Sequence, residues 1–228
     1  MSIDIVHAWD LSNFKLSGAY LESLILNLNK FNVPIPKTQP SKEVVSMVEK
    51  IINFIGSSLE SGSLPWFMVF SSSAYDLNMC SQVLPSSFAF TSGESASSTN
   101  LGELFKLFTS KKTWDEDGID SAERRINFLS AVNLLVVDNI SEGILGTAKY
   151  SGKFAEIFTK RASAGLPTVF NFVCPDFNLS KATVDRVYQL IESSVGSTVL
   201  LLMREKCSVI KFNSSPDSFN LKITECAL

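Results

Sequence analysis

The residues with the greatest potential for chemistry stand at the end of "NLLVVD", where Leu134, Leu135, Val136 and Val137 deliver Asp138 to the polar turn "NISEG". A carboxylate at the exposed end of a buried strand can hold Mg²⁺, and with it the phosphates of a nucleotide. That chemistry needs partners. Glycines must let backbone N–H groups approach the phosphates, a Lys must neutralise them and a Ser or Thr must reach the metal, in the pattern G-x-x-x-x-G-K-[ST] after a strand. The segment in that place follows the apolar run "WFMVF" and reads "SSAYDLNM". Ser72 and Leu77 stand at the glycine positions, Asn78 at the lysine and Met79 at the hydroxyl. The Leu77 side chain crowds a phosphate, Asn78 offers no charge, Met79 cannot ligate Mg²⁺, and Asp76 adds a carboxylate beside the phosphates. No Gly-Lys-Ser/Thr follows any other predicted strand. Asn139, next to Asp138, is an amide and cannot act as the general base that activates water. Asp138 therefore keeps its position while the machinery around it is missing, and no bound cofactor is expected.

The elements that would position these residues alternate between strand and helix. Continuous apolar runs, "WFMVF", "SFAFTS", "NLLVVD" and "PTVFNFV", read as strands covered on both faces, the habit of a parallel sheet. Between them "LGELFKLF", "SAERRINFLSAV", "GKFAEIFTKRASAG" and "KATVDRVYQLIESS" carry helical spacing. Right-handed crossovers would wind this alternation into a three-layer α/β sandwich. Near the end "STVLLLMRE" and "CSVIKFN" are close enough to pair as a hairpin, with "FNLKITEC" as a further strand. The prediction is a mainly parallel sheet finished by antiparallel strands, with no helical lid domain. Serine-rich "SSSAYD" and "SGESASSTN" follow strands and read as loops at the carboxyl edge, where open α/β folds bind ligands.

Residues 1–40 read as an arm. It comprises a helix in "LSGAYLESLILNLNKF" and the connector "NVPIPKTQP", whose prolines block helix. An α/β domain is expected over residues 41–228, opening with Ser41 as the N-cap of an amphipathic helix that carries Val44, Val45, Val48, Ile51, Ile52 and Ile55. That helix is expected to end at Gly56 or in "SSLESGSLP".

A net charge of −3 in 228 residues gives no overall cationic field, so any nucleic-acid contact must be a local patch. Cys80, Cys174, Cys207 and Cys226 form no CxxC pair, and the lone His7 completes no zinc site with them, so they read as reduced, mostly buried thiols and no metal is assigned. No apolar run approaches the roughly 18–20 residues of a membrane span, and "MSIDIVHAWD" lacks a basic start, which points to a cytoplasmic protein. Lys160 and Arg161 end a helix, where cations complement its dipole, and Arg204 with Lys206 fall at the expected hairpin turn.

From about Asn53 to Phe212 the order of elements resembles the AAA+ ATPases of the bacterial replicative-helicase loader and insertion-sequence transposition-helper group. The residues that carry the resemblance are "FMVFSSSAYDLN" as a worn P-loop, "LSAVNLLVVDNI" as Walker B, "FAEIFTKRASAGLPTVFNF" as the next helix and sensor strand, and "VDRVYQLIE" as the arginine-finger helix. The resemblance implies a RecA/AAA+-type fold with Asp138 as the Mg²⁺ aspartate, Asn171 as the sensor that orients water and Arg186 as a finger reaching a neighbour's nucleotide. Each has a plain structural alternative: Asn171 bonding a sheet-edge loop, and Arg186 pairing with Asp185 or Glu192 on a solvated helix face. In this group a helical insertion before Walker B touches single-stranded DNA. The matching stretch offers Lys106, Lys111, Lys112, Arg124 and Arg125 with Phe105, Phe108 and Trp114 between them, interrupted by five acidic residues from Asp115 to Glu123. The alternative there is a charged helical pair with its rings in the core. An N-terminal region of the group binds the helicase, and the arm helix presents Tyr20, Leu21, Leu24, Ile25 and Leu28 as a docking side.

These readings imply a catalytically inactive AAA+-like accessory protein of DNA replication, with a replicative helicase or an AAA+ paralogue as partner, single-stranded DNA as a further ligand, and homo- or hetero-oligomers as a possible assembly. Two alternatives stand beside it. One is a RecA/AAA-like structural subunit of a recombination or clamp-loader-type complex, and the other is a divergent working ATPase.

Overall fold

The computed structural model describes residues 40–62, 66–109, 116–147, 152–174, 181–212 and 222–224. The predicted arm, with Tyr20, Leu21, Leu24, Ile25 and Leu28, lies outside the described residues, as do Lys111, Lys112 and Trp114. Helix α1 spans Lys42–Ser61; the Ser41 hydroxyl accepts the Val44 N–H at 3.3 Å as its N-cap, and Gly62 ends it with φ 73°. It thus runs past Gly56, because Ile55 and Ser58 continue its buried stripe.

Strand β1 (Trp66–Ser71) leads into α2 (Ala74–Ser92), then β2 (Ala96–Asn100), α3 (Leu101–Thr109) and α4 (Glu116–Ala131). Strand β3 (Leu134–Ile140) is followed by α5 (Glu142–Thr147), α6 (Gly152–Ser163), β4 (Thr168–Val173), α7 (Lys181–Val195) and α8 (Ser197–Lys206). The chain closes on β5 (Cys207–Phe212) and β6 (Lys222–Thr224). The sheet order is β2-β3-β4-β1-β5-β6, with β1 to β5 mutually parallel and β6 antiparallel on β5.

Alternation along the strands splits the core in two. Trp66, Met68, Phe70, Leu135, Val137, Phe170 and Phe172 point to one face and pack against α3 to α8. Phe67, Val69, Leu134, Val136, Val169, Ile210 and Phe212 point to the other and meet α1 and α2. The result is the expected three-layer α/β sandwich. Because α2 leaves β1 on one face while α7 follows β4 on the other, the carboxyl ends of β1 and β4 form the topological switch point of the sheet.

Three expected elements are corrected. "SFAFTS" is the last part of α2 rather than a strand: α2 packs both on the sheet and on α1, so Val83 to Ala89 are all buried and no polar stripe marks the helix, while Pro85 within it imitates a break. The second strand is instead Ala96–Asn100, inside the serine-rich segment read as a loop. "STVLLLMRE" forms α8, with Val199, Leu200 and Met203 inward and Leu201 56% exposed, a helical period that its run of apolar letters conceals. "CSVIKF" therefore adds in parallel beside β1, and the antiparallel partner comes from Lys222–Thr224.

Candidate functional site

Asp138 shares its strand face with Leu134 and Val136, and Asn171 shares its face with Val169, so both polar groups point toward α2. Asn171 is fully buried in mid-strand; its Nδ2 donates to Asp138 Oδ1 at 3.4 Å and to the Leu77 carbonyl at 3.3 Å. Asp138 and Asn171, each singled out in the sequence, thus lie within hydrogen-bonding distance of one another. Among the described residues, Asn171 Oδ1 accepts no hydrogen bond.

The far side of Asp138 faces α2. Among the described residues Asn171 is the side chain within hydrogen-bonding distance of its carboxylate; on α2 the Ser81 hydroxyl donates to the Asn78 carbonyl at 2.7 Å, and the exposed Asn78 accepts from Gln82 Nε2 at 2.7 Å through its Oδ1. No cation stands beside Asp138 among the described groups. Burial at 8% exposure pushes its carboxyl above the ordinary carboxylate range, against the opposing pull of the Asn139 N–H and of the nearby Asn171, Ser81 and Asn78 side chains. Burial also raises the Cys80 thiol, with the Asp138 charge adding to it, so Cys80 is an inert thiol rather than a nucleophile.

The position of α2 beside Asp138 depends on how the helix starts. Only Ser72 and Ser73 link β1 to α2. Ser73 caps the helix by accepting the Asp76 N–H at 3.2 Å, its own N–H goes to Ser71 Oγ at 3.1 Å, and Leu77 N–H bonds the Ser73 carbonyl. Two residues cannot wrap a phosphate, and these N–H groups are spent within the chain. The residues aligned to a phosphate loop are accordingly redistributed. Ser72 is exposed at the turn, Leu77 and Met79 are buried at 1% and 4% in the core, and Asn78 is exposed on the second turn of α2.

Asn139 follows with φ 58°, in the left-handed region, where β3 and β4 shift register between Val137 and Ile140. Asn tolerates that conformation better than other side-chain-bearing residues, which gives a backbone reason for an amide at this position.

Arg186 on α7 pairs with Glu142 at 3.1 Å, side chains 68% and 40% exposed, rather than with Asp185 or Glu192 as the alternative reading had it. In the expected DNA-contact region Lys106 and Arg124 are exposed on α3 and α4. Arg125 lies 5.4 Å over the Phe128 ring; burial lowers its pKa and Glu103 opposes that. Phe105 and Phe108 do not present free rings. They pack on Phe154 with centroids 4.9 and 5.5 Å apart, which removes them as stacking platforms for bases.

Sequence reasoning missed the role of Arg161. It is fully buried at the end of α6 and donates to the carbonyls of Leu129 (2.9 Å), Val132 (2.6 Å) and Pro167, and to Thr168 Oγ1 (2.9 Å). The helix end it serves is mainly that of α4, which it ties to the start of β4. Burial pushes its pKa down to about 9, still above neutrality. Lys160 beside it forms an exposed pair with Glu156 at 2.7 Å.

Among the described residues Cys80, Cys174 and Cys207 are buried and form no disulfide, no group of three His, Cys, Asp or Glu side chains converges on a metal position, and no helix is long and apolar enough to cross a membrane.

No protein-family model and no curated protein matches the chain. Among solved structures it is similar to one described as the crystal structure of the DnaI, at 13% identity over 72% of this chain and 89% of that one, TM-score 0.44. It is also similar to a presumed primosome component from Streptococcus pyogenes serotype M3, at 14% identity over 66% and 77% of the two chains, TM-score 0.40. Likeness at this distance leaves the site residues to be judged on their own geometry.

Proposed function

We propose that the protein is a catalytically inactive AAA+-like accessory factor of DNA replication, which docks on a replicative helicase or on active AAA+ subunits. The observation that carries the reading is the two-residue link from β1 to α2, which starts α2 directly beside the sheet end and leaves no phosphate loop there. Asn171 of β4 then joins Asp138 of β3 to the Leu77 carbonyl of α2, and the fold serves as a scaffold. The order and spacing of the degenerate motifs supports the family part of the proposal, and the predicted arm helix supplies the docking side. Any DNA contact would run through phosphates, a reading supported by the exposure of Lys106 on α3; the rings of Phe105 and Phe108 are turned inward.

The test is co-elution of the full chain with the replicative helicase of its source, read by size-exclusion chromatography with light scattering. The proposal expects a defined complex that Leu21→Asp together with Leu24→Asp dissolves. Separate elution at concentrations of about 10 µM, where a micromolar complex is mostly formed, would count against helicase docking.

A further inference from the structure

We draw no further inference here: the strongest candidate, the outer edge of β2, where Ala96–Asn100 ends the sheet with small uncharged side chains and pairs with no further strand among the described residues, carries none because nothing in the structure shows what covers it.

Discussion

Replacing Arg161 by Met keeps a long side chain of similar reach and removes every hydrogen bond the guanidinium makes. Of its four acceptors, the Thr168 hydroxyl has a second contact, to the Leu166 carbonyl at 3.3 Å, and loses least. The Pro167 carbonyl keeps the Leu135 N–H at 3.2 Å, while the carbonyls of Leu129 and Val132 face a buried methyl group instead. An unsatisfied buried acceptor costs about 1–3 kcal/mol, offset here by no longer burying a charge, which leaves a net loss of about 2–4 kcal/mol. At about 2–4 °C per kcal/mol for a domain of this size, Tm should fall by roughly 4–16 °C. Arg161→Lys retains charge but not the planar fork, and should fall between the two. Thermal and urea unfolding followed by circular dichroism measure both variants. A loss under about 1 kcal/mol for Arg161→Met would refute the reasoning, since it would mean that water or a small backbone shift satisfies those carbonyls without the guanidinium.

Asp138 gives a pH-dependent prediction. Its carboxyl is raised in the folded state, so the folded chain holds this proton to higher pH than the unfolded chain does; its unfavourable contribution is absent in acid and complete above the folded pKa. Asp138→Asn should therefore gain stability relative to wild type as pH rises from about 4 to 7, measured as the difference in urea midpoints. Equal pH profiles would contradict a buried carboxylate without a cation. At Asn139, φ 58° predicts that Gly is tolerated and that Glu costs about 1 kcal/mol, read from the same unfolding curves; equal stability of Glu and Asn would remove the backbone explanation. Phe105→Ala should cost about 3–5 kcal/mol because the ring packs on Phe154, while single-stranded DNA affinity in fluorescence anisotropy stays unchanged so long as the variant remains folded.

The sequence made the centre of the sheet legible because β1, β3 and β4 are buried on both faces and so appear as unbroken apolar runs. Where burial and letter pattern part company, reading failed. Strand β2 is "ASSTN", buried at Ala96, Ser97 and Thr99 yet nearly free of apolar side chains, and it passed for a loop. Helices α2 and α8 carry dense apolar runs and passed in part for strands. At the site, Asp138 and Asn171 were each singled out from the resemblance, while the hydrogen bond between them and the one from Asn171 to the Leu77 carbonyl were out of reach, because the latter depends on α2 starting two residues after β1, a boundary finer than sequence patterns resolve. Arg161 sits in "TKRAS", where nothing separates a buried cation from an exposed one; its burial is decided by the distant ends of α4 and β4.

The central claim is that α2 occupies the space a nucleotide would need beside Asp138. Calorimetric titration of the purified chain with ATP and Mg²⁺, alongside an Asp138→Ala variant, tests it most directly. No saturable binding up to about 1 mM is expected in either protein. Saturable micromolar binding by the wild type that disappears in Asp138→Ala would contradict it, and would make Asp138 a working ligand rather than a structural hub.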